Sequence, residues 1–232
     1  DTFVLLGQAD YKAVCQKYLL SVLKSLDEPD VTIRRRAVDV LFSLCTPQSV
    51  RQVVNHLLHL LEIDEGELRE ELVVKISLLA EMDSCTDEWY VDTMLLTVCM
   101  GGEFLRPELW DRILKSVSTN ASYAVKKIAQ VLGGGCWHEE FLRMACVIFG
   151  EHAECLEDLA QPMAHYIAKQ LVFVSVQTRP IIFTALAKIC KDVPAVRPIA
   201  SKAFHTYITS IDPETQQRAA EFLYLLSHPD LF

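Results

Sequence analysis

The 232-residue sequence has no C-x-x-C pair among its eight cysteines, no apolar run long enough to span a bilayer and no excess of positive charge. Each absence closes a class. Cys15, Cys45, Cys85, Cys99, Cys136, Cys146, Cys155 and Cys190 lack the close spacing of a zinc site or a redox pair. They fall on or near apolar faces, where free thiols behave as small hydrophobes, and are read as reduced. Apolar stretches such as Val172 to Val176 and Ile181 to Phe183 fall far short of the roughly 20 residues of a membrane span. No basic region followed by a hydrophobic core opens the chain, so neither export nor insertion is expected. Lys and Arg number 22 against 31 Asp and Glu, a formal charge of -9, which argues against nucleic acid as the main partner. The opening DTFVLLGQAD carries no initiator Met. A piece of a longer protein is the expectation.

Half of the residues, 51%, are hydrophobic and 23% are charged, which excludes disorder and implies extensive burial. The length suffices for one large domain or two small ones without staples. One stretch organises the rest. In DVTIRRRAVDVLFSLC, Asp30 to Cys45, a 3.6-residue period places Ile33, Ala37, Val40, Leu41 and Leu44 on one face, with Asp30 as N-cap after Pro29. Asp64 to Glu81 repeats the plan through Leu68, Leu72, Ile76 and Leu79. Asp212 to Ser227 repeats it again through Ala219, Phe222, Leu223 and Leu226. An Arg-Ala pair recurs at one offset, Arg36-Ala37 and Arg218-Ala219. Helical self-similarity at this spacing is the mark of stacked helix pairs.

Taken in order, Tyr11 to Leu26 forms a helix through Tyr18, Leu19 and Val22, and pairs with the Asp30 helix across DEPD. Pro47 opens a helix that runs to Leu61 and pairs with the Asp64 helix. A helix from Asp87 stops at Gly101-Gly102. Pro107 opens the next one, Asn120 caps another that ends at Gly133-Gly134-Gly135, and a shorter helix covers His138 to Gly150. Glu151 to Pro162 is less regular. Helices resume from Met163 to Phe173 and from Gln177 to Cys190; a further one follows Pro194 and Pro198, and the Asp212 helix closes the array. No segment alternates with period two. The sequence therefore predicts an all-α chain, a right-handed superhelical solenoid of HEAT/armadillo-like antiparallel helix pairs. Residues 1–232 are read as a single helical-repeat solenoid with a break near 151–162.

Chemistry is sparse. The glycine triplet is followed by Cys136 and Trp137 rather than a phosphate-loop G-K-[ST], and reads as a helix stop. His56 and His59 lie one helical turn apart with no carboxylate or Cys near enough in sequence to complete a metal site, and read as solvent-facing. Cys136, His138, Glu139 and Glu140 gather at a helix start without an oxyanion donor or partner base, so no catalytic cysteine is assigned. Arg34, Arg35 and Arg36 spread over about 200 degrees of helix and cannot all face one ligand. Salt bridges to Asp30, Asp39 or the Glu67 to Glu71 group are expected instead. Trp89, Trp110 and Trp137 are read as packing residues, with Trp89 buried between repeats. No catalytic, cofactor-binding or metal residue is assigned, and partner-binding residues stay unassigned.

Several longer motifs carry a resemblance. TIRRRAVDVLF (Thr32 to Phe42), LREELVVKISLLAE (Leu68 to Glu81), EWYVDTML (Glu88 to Leu95), GGEFLRPELWDRIL (Gly101 to Leu114) and the CWHEEFL-to-FGE stretch (Cys136 to Glu151) resemble the trunk of adaptins, the large subunits of clathrin adaptor complexes. VSVQTRPIIFTALAKI (Val174 to Ile189) and ETQQRAAEFLYL (Glu214 to Leu225) look like the end of that trunk. The Tyr90-Val91 form of WYVDT and the Thr178-Arg179 to Lys188 element are most similar to the alpha type, with the gamma type of Golgi and endosomal adaptors as the near competitor. The Glu151 to Pro162 region is short for an alpha trunk. The resemblance implies a non-enzymatic scaffold without cofactors, acting in endocytic vesicle transport at the cytoplasmic face of coated membranes. It implies beta-type large, medium and small chains as partners, with clathrin and cargo met indirectly and the membrane touched only through the whole complex. This chain would be the C-terminal half of the trunk, contributing inter-subunit packing. The repeats alone equally allow a generic protein-binding scaffold such as a transport receptor.

Overall fold

The structure, a computed structural model, describes residues 17–63, 66, 68–82, 87–135 and 138–228, and every regular element among them is a helix. Helix α1 covers residues 17–24 of the described chain. It is followed by α2 (Val31–Leu44), α3 (Val50–Ile63), α4 (Arg69–Ala80), α5 (Asp87–Gly101), α6 (Pro107–Thr119) and α7 (Ala121–Gly133). The remainder comprises α8 (Glu139–Glu151), α9 (Ala160–Gln170), α10 (Arg179–Asp192), α11 (Arg197–Tyr207) and α12 (Pro213–Ser227). Contacts group the chain into two compact units, Asp1–Asp111 and Arg112–Phe232.

In the first unit α3 packs on α4 and α4 on α5, while α2 meets α4 and α3 meets α5 as every-second neighbours. That is the order of stacked antiparallel pairs. The core runs through Leu41, Val53, Val54, Leu57, Leu61, Leu68, Leu72, Ile76 and Leu79, all of them buried, so the stripe Leu68, Leu72, Ile76 and Leu79 expected of α4 is the one observed. The α2 stripe is rotated from its expected position. Ala37, Val38 and Leu41 are buried, whereas Ile33 and Val40 are exposed. A face through 34, 37, 38 and 41 obeys the helical period as well as the one chosen from the sequence, and the neighbouring α4 decides between them. On α1 Leu19 is buried as expected and so is Leu26 just beyond it, joined by Leu23, whereas Tyr18, also expected on that stripe, is exposed.

In the second unit α10 is central, packed on α8, α9, α11 and α12. Phe183, fully buried on α10, meets the Phe204 and Tyr207 rings edge-on at 5.3 and 5.6 Å. Phe149, Ile182, Leu186 and Ile189 complete this core. The break expected near 151–162 is a run of 3-10 helix, Ala153–Leu159, in which Glu157 takes a left-handed φ of 46. Pro162 then sits in the first turn of α9.

Helix ends follow their capping residues, with two exceptions. The Asp30 carboxylate accepts from the Thr32 N–H at 2.7 Å, and Asp212 accepts from the Thr215 N–H at 2.8 Å. Asn120, expected to cap α7, makes no side-chain capping bond; only its carbonyl enters the helix, accepting from the Ala124 N–H. Pro47 does not open α3. It lies in a turn closed by the Ser49 N–H on the Thr46 carbonyl at 2.9 Å and by the Thr46 N–H on Ser49 Oγ at 3.0 Å, so the helix starts at Val50. α5 stops at Gly101 as expected, and α7 ends at the glycine triplet, where Gly135 takes φ 87. Asp64, Cys136 and Trp137 lie outside the described residues.

Candidate interaction surface

Side chains about 36 residues apart in sequence meet across neighbouring repeats. Lys75 on α4 sits 2.6 Å from Asp39 on α2 and 2.5 Å from Glu71, and its ammonium also lies over the Phe42 ring at 5.9 Å. The bond from Lys75 holds the Asp39 carboxyl below the usual carboxylate range. Burial would lower Lys75, but its bonds to Asp39 and Glu71 outweigh that and raise it. Arg35 reaches Glu71 at 3.5 Å, and Arg36 stands 4.0 Å from Asp39 on the exposed side. The three arginines therefore face different ways, Arg34 being the partly buried one, as the 200-degree spread requires.

The second unit carries the denser version of this junction. Thr178, fully buried at the start of α10, accepts from Arg143 Nε at 2.7 Å and donates to the Glu139 carboxylate, both on α8. Glu139 also accepts from the Ser175 N–H at 3.1 Å and from the Ser175 hydroxyl, while Arg143 reaches Glu140 at 2.8 Å. Burial pushes Glu139 upward, but the bonds from Ser175 and Thr178 outweigh it and hold the carboxyl below its ordinary value. Farther along, Lys188 pairs with Glu151, and Arg218 bonds Glu214 at 3.0 Å and the Thr184 hydroxyl at 3.2 Å. These two pairs rim a cleft of about 380 Å³ floored by Val147, Ile181 and Ala185.

A second recurring device closes the helix pairs. Arg69 donates to the Leu61 carbonyl at 3.2 Å, Arg179 to that of Leu171 at 3.3 Å, and Gln216 to that of Ile208 at 3.0 Å. Each donor sits in the first turn of the second helix of a pair, and each acceptor lies eight residues earlier at the end of the first. Carbonyls at helix C-termini lack intrahelical partners, and these side chains supply them. The Leu171 carbonyl takes a second bond from the Tyr207 hydroxyl at 3.0 Å, one repeat on.

The buried thiols among the described residues are not activated as nucleophiles. Burial pushes the Cys146 and Cys190 thiols up to about 12, Arg197 opposing it at Cys190, so neither ionises near neutrality. Cys45, Cys146, Cys155 and Cys190 are free thiols, but Cys99 is disulfide-bonded, which corrects the reading of all eight as reduced. Pairing needs Cα atoms within about 7 Å, and a fold can create that between residues with no short spacing. His56 and His59 are exposed as expected, but Glu62, three residues on, stands 3.6 Å from His59, which corrects the reading that no carboxylate lies near enough in sequence. Among the described residues no group of three or more His, Cys, Asp or Glu is placed to hold a metal ion. His138 is an N-cap, accepting from the Glu140 N–H at 3.3 Å, and Glu139 and Glu140 serve the α8 to α10 junction rather than a thiolate. Trp89 is half-buried, not buried as expected: it packs against the edge of the first core, and Arg51 lies over its ring at 5.3 Å. Sequence reading missed the Glu139–Thr178 relay. In the sequence Glu139 reads only as part of a helix-start cluster and Thr178 only as part of a motif, and the signal that could have joined them is their separation of 39 residues, about one repeat.

Repeated helix pairs held by polar ties one repeat apart define a helical-repeat protein. The chain belongs to the adaptin family: the family described as "Adaptin N terminal region" matches residues 1–230. Its curated relatives include AP-2 complex subunit alpha-1 of Arabidopsis thaliana, 30% identical over 95% of this chain and 23% of that protein. AP-2 complex subunit alpha-2 of Dictyostelium discoideum is 31% identical over 91% of this chain and 22% of its own length. AP-1 complex subunit gamma of Dictyostelium discoideum is 28% identical over 67% of this chain and 18% of its own. The chain thus spans under a quarter of the length of these relatives. Among the described residues no helix is long and apolar enough to cross a membrane.

Proposed function

We infer that this chain is the C-terminal half of the trunk of an alpha-type large subunit in a clathrin adaptor complex, with no catalytic role of its own. The observation that carries the reading is the family match over residues 1–230, joined to similarity with AP-2 alpha subunits over 95% of the chain. Within such a subunit the polar ties between repeats would keep the helix pairs in register, and the helix faces would pack against beta-type large, medium and small chains. Residues 1–232 would act as one helical-repeat segment. Clathrin and cargo would be reached indirectly, at the cytoplasmic face of coated membranes in endocytic transport.

The test is affinity purification of the full-length parent protein from its own cells, with mass spectrometry of what comes with it. Recovery of a beta-type adaptin, medium and small chains and clathrin supports the reading. Recovery of a small GTPase with soluble cargo instead overturns it in favour of a transport receptor. The gamma-type similarity makes a Golgi or endosomal adaptor the second reading. Imaging the tagged parent separates the two: plasma-membrane puncta support the alpha type, and perinuclear or endosomal puncta the gamma type.

A further inference from the structure

We propose that the groove between α9 and α11 is a docking site for an acidic amphipathic helix of a partner protein. It does not depend on which adaptor complex the chain serves. The groove encloses about 400 Å³, within the roughly 300–1,000 Å³ of pockets that hold ligands. Val172, Pro198, Ile199 and Ala203 give it an apolar floor, and Lys169 and Lys202 stand at its sides. Not one carboxylate lines it. In a chain of 31 acidic and 22 basic residues that is a local inversion of charge. Lys75 is spent on Asp39 and Lys188 on Glu151, whereas Lys115, Lys126 and Lys191 stand on the surface away from this groove. Lys169 and Lys202 have no ion-pair partner among the described residues.

Exposed apolar surface lies beside the groove. The turn after α9 exposes Val172, which lines the groove, by 73% and Phe173, next in sequence, by 71%. The Tyr207 hydroxyl on the Leu171 carbonyl ties the end of α11 to the end of α9 at this point. Single exposed apolar residues need no explanation, but an apolar concave site with exposed Val172 at its wall is suited to an interaction. Concavity favours a helix laid into the groove over a flat lipid surface, and the unpaired lysines select carboxylates along its flanks.

The probe is a fluorescein-labelled helical peptide of about 18 residues, with leucines at i, i+3, i+4 and i+7 and glutamates beside them, together with a twin carrying lysines for the glutamates. Fluorescence polarisation with the whole 232-residue chain should show saturable binding of the acidic peptide and none of its twin. Binding should weaken as salt rises, because the paired charges are on the rim. The double variant Lys169→Glu/Lys202→Glu should raise Kd about tenfold or more, since two charge reversals add repulsion to lost attraction. Lys115→Glu/Lys126→Glu, at exposed lysines on α6 and α7, should leave Kd within about twofold. Three results overturn the proposal: no saturable binding of the acidic peptide, an equal loss in both double variants, or a loss confined to phosphatidylserine-vesicle sedimentation. The last would reassign the groove to lipid.

Discussion

Replacing Thr178 with Val tests whether the relay between α8 and α10 carries stability or merely decorates it. Valine keeps the shape and the buried methyl but removes the hydroxyl that accepts from Arg143 and donates to Glu139. A hydrogen bond to a charged group is worth about 1.5–3 kcal/mol, so two lost bonds set a ceiling of about 3–6 kcal/mol. Much of that is recovered. Arg143 keeps Glu140 at 2.8 Å, and Glu139 keeps the Ser175 N–H at 3.1 Å. Both side chains are also about a quarter exposed, 21% and 27%, so water replaces part of what is lost. The net cost comes to about 2 kcal/mol, a fall in Tm of about 4–8 °C for a chain of this size. Thr178→Ser should recover most of it. The variant should also flatten the acid limb of the stability curve. Glu139 is held below its ordinary value in the folded state, so its contribution is complete above about pH 4.5 and is lost as pH falls through the lowered folded value. Thermal melts by circular dichroism at neutral pH and along an acid series read both effects. A Tm within about 1 °C of wild type, with an unchanged acid limb, refutes the reasoning.

Phe183→Ala should cost about 3–5 kcal/mol, because it empties a fully buried site where two aromatic rings converge; the denaturant midpoint reads it. Gly150→Val should cost about 1–3 kcal/mol in the same assay. Even the first carbon added there would stand 3.3 Å from the Ala185 Cα on α10, and a backbone atom gives way less easily than a flexible side chain. Trp89→Ala should cost about 2–3 kcal/mol, below the value for a fully buried tryptophan, since one face is only covered by Arg51. An unchanged Tm with altered partner binding would move Trp89 from packing to recognition.

The helices were legible because a repeat leaves the same trace many times. Leu68, Leu72, Ile76 and Leu79 form a stripe that no other period explains, and all four are buried. Ile33 and Val40 show where that reasoning stops. An isolated helix fixes the spacing of its apolar residues but not which of two adjacent faces its neighbour covers, and Val38 is buried only because α4 lies on that side. Caps divide the same way. Asp30 and Asp212 are local interactions within three residues and were readable, whereas the Asn120 side chain had the right chemistry and formed no bond.

The polar ties were illegible for a different reason. Asp39 and Lys75, or Glu139 and Thr178, are one repeat apart, and nothing local marks them as partners. Only a register fixes who meets whom. Once that period is known from the apolar stripes, the ties become predictable in kind: a charge on the second helix of one pair should find its complement about 36 residues on. Lys169 and Lys202, 33 residues apart on the first helices of their pairs, are of like sign and lie outside that rule. Two exposed cations brought to one groove by the repeat, with no carboxylate lining it, tie no neighbouring repeats together, and an acidic partner laid between them is the occupant that charge complementarity selects.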